Sequence, residues 1–117
     1  MDEELIMELG NVGVDALEAL EGFDENVDEY IENLRLFLED EDHELLRVYL
    51  DAGNLDKAFT SAFGLKVMLK GVGVKEAGEP LLELIDCIRK GRKEDSKELY
   101  EDFEANCVDI LDVIDSL

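Results

Sequence analysis

Between Leu55 and Val72 the apolar residues Leu55, Ala58, Ala62, Leu65, Leu69 and Val72 recur at alternating spacings of three and four. That is the period of one continuous buried helix face. The opposite face of such a helix is normally polar. Here Phe63, Lys66, Val67 and Lys70, at i, i+3, i+4 and i+7, form a second row that points away from the stripe, and two of its members are apolar. An apolar pair on an outward face calls for a partner, inside the chain or outside it.

The rest of the chain carries the same period. Asp2 to Leu9 reads as a short amphipathic helix ended by Gly10, and Asn11-Val12-Gly13 as a turn. A second short helix covers Val14 to Leu20 and ends at Gly22. Asp24 is the expected N-cap of a long helix whose Val27, Tyr30, Ile31, Leu34, Phe37 and Leu38 share one face, and the stripe resumes at Leu45, Leu46, Tyr49 and Leu50. Consecutive like charges at Glu39-Asp40-Glu41-Asp42 disfavour helix without forbidding it, so residues 24–50 read as one helix or two.

Asn54 caps the stripe-bearing helix, which Gly71-Val72-Gly73 ends. Pro80, which has no N–H to donate, fits the first turn of a helix running from Glu79 to Lys90 with Gly91 as its cap, burying Leu81, Leu84, Ile85 and Ile88. Glu94-Asp95-Ser96 opens a last helix along which Leu99, Phe103, Cys107, Ile110, Leu111 and Ile114 repeat. No segment alternates with period two. Amphipathic helices joined by short glycine-containing turns are satisfied by an all-α, antiparallel up-down four-helix bundle with one or two short N-terminal helices. The 117 residues make one domain, 1–117, large enough to bury about two thirds of the unfolded chain's surface.

With 11 basic and 32 acidic residues the net charge is −21, which argues against nucleic acid and anionic membrane as partners because phosphates must be met by Lys and Arg. The opening Met1-Asp2-Glu3-Glu4 has the wrong sign for a signal peptide, and no apolar run approaches the roughly 18 residues of a membrane span. A cytoplasmic location follows as the expectation. Cys87 and Cys107 have neither a CxxC spacing nor companion ligands and read as reduced, small apolar residues.

Catalytic and metal chemistry find little purchase. Asp24-Glu25-Asn26-Val27-Asp28 begins like a calcium loop, but Glu29 and Arg35 stand where a glycine and a bidentate glutamate are required. A di-iron bundle site needs two histidines, and the chain has only His43. His43 lies in Glu39-Asp40-Glu41-Asp42-His43-Glu44, whose carboxylates repel a phosphoryl dianion, and it reads as a solvent-exposed residue of an acidic segment. It also lies in another helix from Thr60, Ser61 and both cysteines, so no nucleophilic triad is expected. The chain is therefore read as a non-enzyme without cofactor or metal.

At Ala62-Phe63-Gly64-Leu65-Lys66-Val67 the sequence resembles the histidine-containing phosphotransfer (HPt) domains of bacterial phosphorelays, whose central helix carries Ala-His, one residue, then Leu-Lys-Gly. Ala62, Leu65 and Lys66 match in type. Val72-Gly73, nine positions after Phe63, falls on the family's Leu-Gly pair. The run from Val14 to Phe23, then Tyr30, Leu34, Leu36-Phe37-Leu38 and Ala52-Gly53-Asn54-Leu55, is similar to the family's leader, so the likeness spans residues 12–92. The departures fall on the chemistry. Phe63 stands at the phosphohistidine position and Val67 at the glycine one turn later.

The resemblance implies an all-helical bundle with its site on an exposed helix face. In the family the histidine attacks an aspartyl phosphate on a receiver domain, the lysine three residues on steadies the phosphoryl oxygens, and the glycine keeps the approach open. Phe63 has no lone pair and cannot serve as that nucleophile. The expectation is a pseudo-phosphotransfer signalling module that binds a response-regulator receiver domain or a histidine kinase through Phe63, Lys66, Val67 and Lys70. The alternative is a helical scaffold or assembly subunit that kept the bundle and lost the signalling, with Phe63 and Val67 covered by the N-terminal helix through Leu5, Ile6 and Leu9.

Overall fold

A cap or a turn residue marks the start of most segments. The computed structural model describes residues 1–117 and contains seven α-helices: α1 (Glu3–Asn11), α2 (Ala16–Glu21), α3 (Val27–Leu38), α4 (Asp42–Asp51), α5 (Leu55–Gly71), α6 (Glu79–Arg89) and α7 (Lys93–Asp115). A single 3₁₀ turn, Glu76–Gly78, precedes α6. Asp2, Asp15, Asn26 and Asn54 each accept a hydrogen bond from a first-turn backbone N–H, which satisfies a donor the helix cannot.

Asp24, expected as the cap of α3, does not serve as one. Asp24 and Glu25 have φ of 51° and 63°, so two successive left-handed residues reverse the chain and the helix begins only after Asn26. Residues 24–50 form two helices rather than one. The chain leaves α3 at Glu39, and the Asp40 carboxylate accepts the Asp42 N–H at 2.8 Å, starting α4 afresh.

Helices α4 and α5 pack together, as do α5 with α6, α6 with α7, and α7 with α4, so these four close on one another; α3 lies against α7, α5 and α2, and α1 against α2 and α7. The body measures 43 × 22 × 20 Å, elongated along its helices. The stripe expected on α5 is the core. Ala58, Ala62, Leu65, Leu69 and Val72 are buried, Leu55 packs partly, and they meet Leu81, Leu84, Phe103, Ile110 and Ile114. No helix is long and apolar enough to cross a membrane.

The ends of α1 and α5 are tied across the chain. Val14 and Val74 form an isolated antiparallel bridge, with Asp15 N–H donating to the Gly73 carbonyl at 2.8 Å and Lys75 N–H to the Gly13 carbonyl at 3.0 Å. Both turns require glycine. Gly13 and Gly73 have φ of 82° and 74°, and a Cβ at Gly73 would stand 2.4 Å from the Asp15 carbonyl oxygen. Tyr30 adds a buried hydrogen bond from its hydroxyl to the Val72 carbonyl at 3.0 Å, fixing α3 to the same end of α5.

Candidate functional site

The outward row of α5 is built by helical period alone. With Ala58, Ala62 and Leu65 turned inward, Phe63, Lys66, Val67 and Lys70 face solvent; Phe63 is 41% exposed and Val67 66%. The N-terminal helix does not cover them: Leu5 and Leu9 of α1 are buried, in a helix that packs on α2 and α7. All four residues expected to bind a partner are thus on one open face.

The structure adds two residues to that face. Phe59, one turn before Phe63, stacks on it with ring centroids 5.9 Å apart and planes 26° apart. Lys66 Nζ lies 5.4 Å from the Phe63 ring centroid, and the Arg89 guanidinium, from the end of α6, lies 5.3 Å from that of Phe59. The sequence signal for Phe59 was present, since Phe59, Phe63 and Val67 stand at i, i+4 and i+8; Arg89 had none, because only the packing of α6 on α5 brings it there.

The basic residues of the chain divide into paired and unpaired ones. Arg35, Arg47, Lys75 and Lys90 are held in ion pairs with carboxylates. Lys66, Lys70 and Arg89 have no such partner, a state they share with Lys57, Arg92, Lys93 and Lys97; on this face Lys66 and Arg89 lie over aromatic rings instead. Beneath the face α4 approaches closely, since a Cβ at Gly64 would meet the Asp42 carboxylate at 2.7 Å. Burial, and then the charge of Asp40, raise Asp42 above the usual carboxylate range.

A second polar cluster lies where the sequence places an exposed histidine, and the structure corrects that reading. His43 is 7% exposed. Its ring stacks on Phe103 (5.6 Å, 11°) and meets Phe37 edge-on, while Nδ1 is 2.6 Å from Glu104 Oε2 and Nε2 is 2.9 Å from the Phe37 carbonyl oxygen. The acidic segment around it is short enough to turn at Asp40, and that turn folds the imidazole inward between α3 and α7. A carbonyl oxygen only accepts, so Nε2 carries a proton, and the carboxylate opposite Nδ1 favours a second. Burial alone lowers the imidazole pKa; the hydrogen bond and charge of Glu104, the Phe37 carbonyl and Asp40 outweigh it and leave the net value above 6.5. Cys107, also buried, lies beside this pair, and burial pushes its thiol well above the usual range. Cys87 is likewise unbridged.

No family model, no curated protein and no solved structure matches the chain.

Proposed function

We propose that the chain is a pseudo-phosphotransfer module, an HPt-like antiparallel up-down bundle of α4 to α7 that docks a receiver domain or a histidine kinase without itself carrying phosphate. The observation that carries this reading is the exposed Phe63, stacked on the half-buried Phe59 and flanked by unpaired Lys66, Lys70 and Arg89. An aromatic anchor ringed by cations suits a partner that presents an acidic pocket, and receiver domains present one around their phosphorylatable aspartate. Phe63 lacks a nucleophilic lone pair, so the face can bind such a pocket but cannot take its phosphoryl group.

The test is a binding panel of receiver domains and kinase dimerisation domains against wild type and Phe63→Ala, followed by phosphoryl transfer to the double variant Phe63→His/Val67→Gly. Wild type should bind at least one partner and remain unlabelled; Phe63→Ala should weaken that partner by about 2 kcal/mol, roughly thirtyfold in Kd. The double variant should accept phosphate, because the imidazole then stands one turn before Lys66 with the crowding valine removed, at about 1 kcal/mol in helix stability for the added glycine. A folded double variant that neither binds nor accepts phosphate across the panel would favour the scaffold reading instead.

A further inference from the structure

We propose that His43, Glu104 and Cys107 form a site for one Zn²⁺ ion at the junction of α3, α4 and α7. Their three ligand atoms, an imidazole nitrogen, a carboxylate oxygen and a thiol sulfur, all lie within 4.8 Å of one another. Glu104 and Cys107 are at i and i+3 on α7, which puts both on one helix face, and His43 enters from the first turn of α4 opposite them. Nitrogen, sulfur and carboxylate oxygen are the donors Zn²⁺ accepts, and three protein ligands leave a fourth position for water.

The surroundings hold the imidazole as a metal-bound histidine is held. Its Nε2–H donates to the Phe37 carbonyl at 2.9 Å, which fixes the tautomer and leaves Nδ1 to bind. Stacking on Phe103 and the edge of Phe37 fix the ring plane. Access comes through Glu104, whose side chain is 29% exposed while the other two ligands are buried. Ligand bonds of about 2.0–2.3 Å place ligand atoms roughly 3.3–3.8 Å apart, so the 2.6 Å contact must open by about 1 Å and a separation at the 4.8 Å limit close by about 1–1.5 Å. Rotation of the half-buried Glu104 carboxylate opens the short contact, and small adjustments of the His43 and Cys107 side chains close the rest.

The exchange is balanced in charge. Without metal the cluster holds an imidazolium, a carboxylate and a thiol, a net charge of zero by arithmetic (+1 − 1 + 0). With metal it holds Zn²⁺, a neutral imidazole, a carboxylate and a thiolate, again zero (+2 + 0 − 1 − 1). Two protons leave, one from Nδ1 and one from Sγ, and the electron pairs they shared become the bonds to zinc. The ion's dehydration is met by the bonds to the imidazole, carboxylate and thiolate, and the two released protons make the binding pH-dependent.

The experiment is a titration of the full chain, first stripped with chelator, with Co²⁺ as the spectroscopic stand-in and then with Zn²⁺ as competitor. Binding of one equivalent with the near-ultraviolet sulfur-to-cobalt charge-transfer band and the intense visible bands of four-coordinate cobalt, both erased by Zn²⁺, is the expected result. Cys107→Ala, with helicity and Tm checked, should abolish the charge-transfer band, and both Cys107→Ala and Glu104→Gln should weaken binding at least tenfold; Glu101→Gln, exposed on the same helix, should leave the band and the affinity unchanged. Cobalt bound without a sulfur band, no binding by the folded wild type, or undiminished affinity in Cys107→Ala would overturn the proposal, the last by assigning the ion to surface carboxylates.

Discussion

The molecule contains two aromatic clusters with a cation at hand, and they are opposites. Phe63 stands exposed on α5, stacked on the half-buried Phe59, with Lys66 and Arg89 over the two rings, whereas Phe37, His43 and Phe103 stack inside the protein with both imidazole nitrogens on acceptors. In the buried cluster every polar atom has a partner, as burial demands. The exposed one leaves aromatic area and positive charge unused within the chain. The same side-chain chemistry therefore serves stability in one place and is available to a partner in the other, and solvent exposure separates the two.

The largest expected effect breaks the comparison at its buried end. Phe103→Ala removes a fully buried ring that supports both Phe37 and His43, and should lower unfolding free energy by about 3–5 kcal/mol in denaturant titration. Phe63→Ala, by the same measurement, should cost no more than about 1 kcal/mol, since the ring is exposed and rests on the half-buried Phe59 with only the Lys66 side chain over it. Equal losses at the two sites would erase the distinction.

A pH series sharpens the buried cluster. Because the folded-state pKa of His43 is raised above 6.5, its contribution is fully present below pH 6.5 and is lost as pH rises through the folded value. In the presence of chelator, stability should decline over that window, and Glu104→Gln should flatten the decline by removing the partner that raises the pKa. A slope of the opposite sign would mean that burial outweighs Glu104 and that His43 is neutral. The smallest effect belongs to Arg89→Ala. Its cation–π contact with Phe59 is exposed and is worth about 0.5–1 kcal/mol, which should appear in partner binding while Tm hardly moves.

Almost all the helices were legible in the sequence because helical period and end signals are local. Asn54, the stripe from Ala58 to Val72, Pro80 and Gly91 each act within a few residues, and the outward row of Phe63, Lys66, Val67 and Lys70 follows from the stripe by geometry. The start of α3 was misplaced by two residues because Asp24 and Asn26 are both good caps, and only the left-handed backbone at Asp24 and Glu25 chooses between them.

Tertiary structure decided what depends on residues far apart in the chain. His43 is an ordinary surface histidine in its acidic neighbourhood until Glu104, 61 positions away, and Phe103 meet it across the α4–α7 contact. Gly13 and Gly73 are turn glycines in sequence; that they help pin the end of α1 to the end of α5 is visible only once Asp15 bonds Gly73 and Lys75 bonds Gly13. Whether Phe63 lies open or under α1 was undetermined by pattern, since the apolar face of α1 could pack on any exposed stripe. It packs on α2 and α7, where Leu5 and Leu9 are buried, and the aromatic face of α5 is left to solvent.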